Sequence, residues 1–429
     1  MVEDTCVLTT FFNPFNSPNR IKNFYSFLEN ISKSISLDNF YALEIIQDDK
    51  PQIKNCKNLK VKNNNIVWQK EAGLNYLINN LDLSKYSKII VSDSDIIFKN
   101  KDWINKTSSL LDKYHSCQAF KSIKYMNFDN TEVDSVVDGV IYGNMVKGEN
   151  AQYGNGGLVV GYNKEYINYM GGFFDKSVVG GGDTLNILPF LYDCGISLKV
   201  FDNLMQDLKT EYFNYLIKAR NYILENKNKN PCFFIDQIAR HLFHGSLENR
   251  FYSDRHSLIN NQKYYENFEK DENGLIKYRD KSVLKNVIES YFKDRKEYFE
   301  ENQPIVWCNI KNKVEKIEEQ NKFTWLSDQN KFLFSNISEA RLLFEKPEEI
   351  NNPKVYFDDS VFELLFDHNN KAELILKNPK KIEIFSDFFI PKNVGKNPDT
   401  RRLSIMLKKI EILTTNQESF SEYPLENIL

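Results

Sequence analysis

The strongest chemical signal in the chain is a pair of carboxylates in the segment Ile89-Ile90-Val91-Ser92-Asp93-Ser94-Asp95. The apolar run before them predicts a buried strand over Lys88–Ser92, and strand alternation would send Asp93 and Asp95 to the same side. Two carboxylates there repel each other unless a cation or hydrogen bonds relieve them. A hard divalent cation, Mn²⁺ or Mg²⁺, suits oxygen ligands and can bridge to phosphate. The alternative is a surface turn with two solvated aspartates, because the tripeptide is common.

A third carboxylate follows a series of glycine-rich segments. Gly156-Gly157 comes first, then Gly171-Gly172-Phe173-Phe174-Asp175, then Gly180-Gly181-Gly182-Asp183. Glycine lets the backbone approach a ligand closely, and a carboxylate placed after such a loop, Asp183, could deprotonate a hydroxyl as a general base. The alternative is a set of tight turns in which Asp183 caps the N-terminus of a helix over Thr184–Tyr192.

Three of the five histidines lie within residues 240–256, together with several arginines. A neutral imidazole is a good ligand for Mn²⁺. His244 is the first candidate ligand here and His241 the second. Arg250 and Arg255 could clamp phosphate oxygens in a bidentate manner. The alternative is an ordinary helix with exposed histidine and arginine side chains.

The elements that must position these residues alternate between strands and helices in the first part of the chain. Hydrophobic periodicity predicts strands over Thr5–Phe12, Tyr41–Gln47 and Lys88–Ser92, and helices over Arg20–Ile35, Gln69–Leu81 and Glu211–Glu225. This order indicates an α/β fold with a mainly parallel, doubly wound, Rossmann-like sheet, in which ligands sit outside the carboxyl ends of the strands. Residues 120–150 are polar and are predicted to form loops over a cleft.

The last third of the chain has a different character. Short apolar runs separated by Asn, Pro and Asp turns predict a small all-β sandwich; the runs are Lys331–Phe334, Ala340–Phe344, Lys354–Phe357, Glu373–Leu376, Lys381–Phe385 and Leu403–Leu413. The domains expected are an α/β domain over 1–280, a helical linker over 281–302 and the sandwich over 303–429. The sandwich could bind a ligand, support an oligomer or serve as structural support.

Composition excludes several classes of protein. A net charge of −3 argues against a general nucleic-acid binder. The six cysteines are scattered without a CxxC pair, which argues against a zinc cluster and suits reduced thiols in the cytoplasm. The acidic N-terminus is not a signal peptide, and no apolar run is long enough to predict a transmembrane helix. Any membrane contact is therefore expected to be peripheral.

The glycine-rich segments carry a resemblance to a known block. Gly156-Gly157, then Gly172-Phe173-Phe174-Asp175, then Gly181-Gly182-Asp183 resemble the "GG…GFFD…WGGED" block of β-1,4-galactosyltransferases, chondroitin-polymerase domains and polypeptide GalNAc-transferases. The resemblance implies a glycosyltransferase of the GT-A fold. It implies that Gly156, Gly157 and Gly182 line the acceptor site, and that Asp183 is the catalytic base, as in the inverting members.

This chain departs from that block at two positions. The tryptophan of the block is replaced by Val179 or Gly180, and the glutamate by Gly182. Retaining relatives share much of the block, so it leaves the anomeric outcome open.

A larger part of the chain, about residues 5–300, resembles a group of bacterial and viral GT-A glycosyltransferases. The matching segments are Thr10-Phe11-Phe12-Asn13-Pro14 with Arg20 and Asn23, Trp68-Gln69-Lys70-Glu71 with Asn75, Asp93 to Phe98 with Trp103, Gly180 to Asp183, and His241 to Arg255. The likeness implies that Thr10, Phe11 and Asn13 border the nucleotide base and ribose. It places Lys70 and the Asp93-Ser94-Asp95 segment near the donor, and adds a histidine as a further metal ligand. For Lys70 and Glu71 the alternative is a solvated first helical turn.

The sequence therefore predicts a metal-dependent glycosyltransferase that uses Mn²⁺ or Mg²⁺. By the same analogy it would move a sugar from a nucleotide-diphosphate donor, a UDP-sugar, to a glycan acceptor in capsule or surface-polysaccharide synthesis. One alternative is a non-catalytic glycan-binding protein with a degenerate GT-A domain. Another is a sugar nucleotidyltransferase, which should carry a basic, glycine-rich triphosphate loop near its N-terminus, and Thr9–Asn19 is not such a loop.

Overall fold

The computed structural model of the chain contains two compact units, Met1–Phe299 and Glu300–Leu429. It describes residues 3–47, 50–127, 129–147, 156–157, 159–191, 201, 203–245, 255–295, 305–308, 315–318, 321–325, 329–335, 337–346, 353–357, 360–367, 370–379, 381–385, 406–413 and 421–423. Among the described helices, none is both long and apolar enough to cross a membrane.

The first unit is built on a largely parallel sheet. Its described strands are β1 (Thr5–Phe12), β2 (Phe40–Ile46), β3 (Lys57–Lys62), β4 (Lys88–Ser92), β5 (Ile96–Phe98), β6 (Tyr114–Gln118), β7 (Ser122–Met126), β8 (Val133–Asp138), β9 (Val159–Asn163), β10 (Asn230–Phe234), β11 (Ile238–His241), β12 (Phe268–Lys270) and β13 (Ile276–Tyr278). Seven of them form the central sheet in the order β10-β6-β9-β4-β1-β2-β3. Only β9 runs antiparallel to its neighbours. The predicted mainly parallel α/β fold is confirmed.

Helices cover both faces of this sheet. They are α1 (Pro18–Ser32), α2 (Lys70–Asn80), α3 (Trp103–Leu111), α4 (Val140–Lys147), α5 (Lys164–Met170), α6 (Gly182–Ile187), α7 (Leu208–Glu225), α8 (Tyr264–Asn267) and α9 (Lys285–Asp294). Alternate residues of β1 enter different cores: Leu8 packs with residues of α2 and α7, and Val7 packs with residues of α1 and α3. This alternation follows from the period of two along a strand, and it makes the sheet doubly wound.

Two stretches differ from the sequence prediction. Residues 120–150 are not simply loops, because β7, β8 and α4 occupy much of that range. β7 and β8 join a second, four-stranded sheet in the order β5-β11-β7-β8. The helix expected within a linker is α9. Its buried residues Ile288, Tyr291 and Phe292 lie in the core of the first unit, so α9 belongs to that unit.

The second unit is all β. Its described strands are β14 (Ile305–Cys308), β15 (Glu315–Glu318), β16 (Asn321–Trp325), β17 (Gln329–Ser335), β18 (Glu339–Glu345), β19 (Lys354–Phe357), β20 (Ser360–Glu363), β21 (Lys371–Lys377), β22 (Lys381–Phe385), β23 (Met406–Leu413) and β24 (Ser421–Tyr423). They form two antiparallel sheets. Ile382 of one sheet and Leu342 of the other share one apolar core, as expected of a sandwich.

Candidate functional site

The backbone brings Asp95 and His241 together at one edge of the second sheet. Asp95 lies in the turn that joins β4 to β5, and His241 is the last residue of β11. β11 pairs antiparallel with β5, and His241 lies opposite Ile96. The backbone N–H of Leu242 donates to the Asp95 carbonyl over 2.9 Å. The pairing of two short strands therefore fixes the distance between a carboxylate and the following histidines.

The side chains of Asp95, His241 and His244 form a compact group. His244 Nε2 lies 2.9 Å from Asp95 Oδ2, and His241 Nε2 lies 3.8 Å from Asp95 Oδ1. The candidate ligand atoms of the three residues all lie within 4.8 Å of one another. All three residues are at most 9% exposed. Burial by itself disfavours the charged carboxylate, but the neighbouring His241 and His244 hold the pKa of Asp95 well below its usual range.

The hydrogen bond of the His241 ring fits a divalent cation. His241 Nδ1 lies 2.9 Å from the carbonyl oxygen of Leu242. A carbonyl only accepts, so Nδ1 carries the proton and, in the neutral ring, Nε2 presents a lone pair toward Asp95. Histidines that bind metals commonly donate their other nitrogen to such an oxygen. Asp95 Oδ1 is buried without a hydrogen-bond partner among the described residues. A carboxylate oxygen and two imidazole nitrogens form a donor set that Mn²⁺ accepts.

Asp93 takes a different partner. Lys70 Nζ, from the first turn of α2, lies 2.5 Å from Asp93 Oδ1 and 2.5 Å from Asp183 Oδ1. β4 ends at Ser92, and both aspartates lie beyond it, so strand alternation does not place their side chains. Asp93 is not part of the described group around Asp95, and its role as a metal ligand stays a prediction.

Lys70 forms ion pairs with two carboxylates, those of Asp93 and Asp183. Burial lowers the pKa of this ammonium, but the carboxylates of Asp183 and Asp93 more than offset it, so the pKa lies above its ordinary value. For Asp93, burial raises the pKa, and the charges of Asp183 and Asp95 add to the rise while Lys70 opposes it. The Lys70 side chain is 9% exposed and Glu71 is 3% exposed. The alternative of a solvated first helical turn is therefore wrong.

The glycine-rich segments pack around Asp183. α6 begins at Gly182 after an N-cap at Gly181, so Asp183 is a helical residue rather than the cap. A Cβ at Gly157 would lie 2.1 Å from Asp183 Cγ, and one at Gly156 would lie 3.0 Å from Thr184 Oγ1. The structure thus brings the Gly156-Gly157 segment directly against Asp183, and Gly157 is required there because its missing side chain leaves room for the carboxylate.

Gly157→Ala is expected to displace the Asp183 carboxylate. The added methyl group overlaps the Asp183 side chain, so we expect the free energy of unfolding to fall by about 1–3 kcal/mol, the usual cost of overpacking. Denaturant unfolding measures this, and Gly156→Ala is the matched control, since its new contacts of 3.0–3.3 Å are less severe. An equal loss in both variants would contradict the proposed close packing of Gly157 on Asp183.

The three residues expected to border the nucleotide differ in exposure and in contacts. Thr10 is partly exposed on β1. Phe11 is 2% exposed and packs in the core, with its ring 5.2 Å from that of Phe24. Its place beside the nucleotide stays a prediction. The Asn13 side chain bonds the Ser17 backbone and Gln52, so it holds the loop after β1.

The remaining predicted donor contacts lie near the same loops. Ser94 is partly exposed in the turn between Asp93 and Asp95. Arg255 lies against the Gly180-Gly181 turn, where a Cβ at Gly180 would come within 2.9 Å of its Nη1. Arg250 lies outside the described residues.

Sequence reasoning missed the asparagines that hold the site loops. The Asn75 side chain bonds both backbone groups of Phe173, at 2.8 Å and 2.9 Å. The Asn186 side chain bonds both backbone groups of Phe174 and also the Gly182 carbonyl. Next to His244, the Asn23 side chain donates to the Phe243 carbonyl over 2.8 Å. Asn23 and Asn75 stand in the quoted motifs, which was the available signal for a positioning role.

Comparisons with known proteins give a weak likeness to sugar-transferring enzymes. No family model matches the chain, and no curated protein matches it. The catalytic domain of Drosophila β1,4-galactosyltransferase 7 in complex with xylobiose is 12% identical, with a TM-score of 0.24; the match covers 44% of this chain and 60% of that one. A mutant of that enzyme, in complex with manganese, UDP-Gal and xylobiose, gives a similar match.

Two further solved structures are similar at the same level. The mannosyltransferase PcManGT from Pyrobaculum calidifontis, in complex with GDP-Man and Mn²⁺, is 12% identical with a TM-score of 0.27, over 43% of this chain and 51% of that one. A putative nucleotide-diphospho-sugar transferase from Desulfovibrio desulfuricans is 8% identical with a TM-score of 0.27, over 69% of this chain and 99% of that one. Likenesses this weak carry no conclusion about substrate or mechanism.

Proposed function

We propose that the first unit is a metal-dependent glycosyltransferase of the GT-A type, which transfers a sugar from a nucleotide-diphosphate donor to a glycan acceptor. The observation that carries the proposal is the juxtaposition of two groups. Asp95, His241 and His244 form a site suited to Mn²⁺, and Lys70 links the adjacent Asp93 to Asp183. The first group suits the donor diphosphate and the second suits the acceptor hydroxyl.

The three candidate metal ligands would act on the departing nucleoside diphosphate. Asp95, His241 and His244 would hold Mn²⁺, or Mg²⁺ in its place, and the bound cation would neutralise charge on the diphosphate. The neighbouring histidines hold Asp95 as a carboxylate, and His241 and His244 would bind the cation as neutral imidazoles. We further propose UDP as the nucleotide and a capsule or surface polysaccharide as the setting, in line with the sequence resemblance.

Asp183 serves the acceptor. Its side chain is 28% exposed, so it remains reachable, while the ammonium of Lys70 holds Oδ1 in place. In the proposed inverting step, Asp183 accepts the proton of an acceptor hydroxyl while that oxygen forms a bond to the anomeric carbon. The bond between the anomeric carbon and the diphosphate oxygen breaks, and the nucleoside diphosphate leaves with the electron pair.

Release of nucleoside diphosphate from sugar nucleotides tests the proposal. UDP- and GDP-sugars are incubated with the full chain, with and without Mn²⁺, and with a mixture of oligosaccharide acceptors. We expect release from one donor class that requires metal and is lost in Asp95→Ala. No release from any donor would refute the proposal and favour a glycan-binding protein with a degenerate domain.

A further inference from the structure

A second carboxyl group lies beside Asp183, and neither the metal group nor the proposed base accounts for it. Glu71 follows Lys70 in the first turn of α2 and is 3% exposed. The indole N–H of Trp68 donates to Glu71 Oε2 over 2.9 Å. Glu71 Oε1 is buried and has no hydrogen-bond partner among the described residues. A buried carboxyl oxygen without a hydrogen-bond partner destabilises the folded state, so the presence of Glu71 at this position needs an explanation.

The carboxyl group of Glu71 fills the space beside the backbone of Gly182. A Cβ at Gly182 would lie 2.3 Å from Glu71 Cδ. A cavity of about 20 Å³ adjoins this point and is lined by Lys70, Glu71, Leu74, Val91, Val160, Tyr162, Phe173, Asp183 and Asn186. This volume accommodates about one water molecule. Glu71 and Asp183 therefore line one small cavity, with room for about one water molecule between their carboxyl groups.

The surroundings favour the neutral form of Glu71. Burial and the negative charge of Asp183 raise the pKa of Glu71 from 4.5 to about 8, and Lys70 opposes this rise. Besides these two, Tyr162 on β9 is the ionisable group that lines the cavity. Two further charged or ionisable side chains, Arg255 and His256, lie against Gly180 and Gly181, just before Gly182 in the chain.

A neutral carboxyl group matches the observed contacts. Its carbonyl-type oxygen accepts from Trp68, and its hydroxyl oxygen has a proton to donate. An ionised Glu71 could only accept, and it would repel the Asp183 carboxylate.

We propose that Glu71 is a positioning residue that donates a hydrogen bond toward Asp183 across their shared cavity and so holds the base in its acceptor-facing orientation. The inference rests on the proposed role of Asp183. It also explains why residue 182 is a glycine: a side chain there would expel the Glu71 carboxyl group.

The pH dependence of turnover in Glu71→Gln, Glu71→Ala and the wild type tests this role. Glutamine keeps one donor and one acceptor but cannot ionise. We therefore expect Glu71→Gln to retain kcat within about threefold of wild type near pH 7, and Glu71→Ala to lose about tenfold or more, with the KM for the donor unchanged. Above about pH 8 the wild-type kcat should fall while that of Glu71→Gln stays level. Parallel pH profiles for wild type and Glu71→Gln, or equal losses in both variants, would overturn the inference.

A second readout is independent of catalysis. The folded state retains a proton on Glu71 that the unfolded chain releases above its ordinary pKa. Wild-type stability should therefore fall as the pH rises from about 5 to about 8. The Tm of Glu71→Gln minus that of the wild type should increase over that range. A constant Tm difference would overturn the inference even if no donor is turned over. A growing difference without any turnover would count against the proposed function but not against the protonated Glu71.

Discussion

Asp183→Asn is expected to lower kcat by roughly 10²–10⁴-fold, the usual contribution of a positioned general base. Asparagine has nearly the same shape as aspartate and can still accept from Lys70, which lies 2.5 Å from Oδ1, but it cannot take a proton. Because we propose that Asp183 acts on the acceptor, the metal-dependent affinity for the donor should change little. Steady-state kinetics with saturating donor and acceptor, combined with calorimetric donor binding, measures both quantities.

Asp38→Asn is a suitable control for that experiment. Its side chain is 78% exposed and pairs with Lys57 at the start of the parallel strands, away from their carboxyl ends. It should leave kcat unchanged. Near-normal turnover in Asp183→Asn would remove Asp183 from the role of base, whereas loss of donor binding in the same variant would show that the substitution disturbs the donor site.

Asp95→Ala is expected to abolish binding of Mn²⁺ at micromolar to millimolar concentrations. Within the described group, removing the carboxylate leaves the imidazoles of His241 and His244. The loss should exceed the 10–100-fold that is usual for changes outside the direct ligands. Titration calorimetry with Mn²⁺, in the absence of nucleotide, measures the affinity directly.

Asp93→Asn provides the matched comparison, because Asp93 is paired with Lys70 rather than with the histidines. We expect it to weaken Mn²⁺ binding less than Asp95→Ala does. If the two substitutions weaken binding equally, Asp93 is also a ligand and must leave Lys70 when the metal binds. Unchanged binding in Asp95→Ala would contradict the metal site.

The sequence predicts the buried strands well. β1 and β4 begin and end at the predicted residues, since an apolar run between polar turns leaves little choice of boundary. Six described strands of the second unit lie on predicted apolar runs, helped by clean alternation in β21, where every second residue is buried. The strands β14, β15, β16, β20 and β24 were not predicted. Likewise, β3 is missed because it is an edge strand in which Val61 alone is buried.

The sequence identifies candidate site residues but not the side-chain pairs that they form. The pairing of β5 with β11 brings Asp95, His241 and His244 together. The sequence names these residues as candidate ligands, and that role stays a prediction. Which side chain pairs with which depends on tertiary contacts: the Lys70 bridge spans 113 residues to Asp183, and no local pattern encodes it. The burial of Glu71 is hidden for the same reason, because a charged first turn of a helix usually faces solvent.

The most direct test of the central claim, a metal-dependent site for a nucleotide diphosphate, is a thermal-shift matrix. Nucleoside diphosphates and their sugars are added with and without Mn²⁺ to the wild type and to Asp95→Ala. Binding to the folded state at about 100 times Kd adds about 2.7 kcal/mol of stability. We expect a rise in Tm with UDP or UDP-sugars that requires Mn²⁺ and is absent in Asp95→Ala. A rise that needs no metal, one that persists in Asp95→Ala, or no rise with any nucleotide would contradict the account.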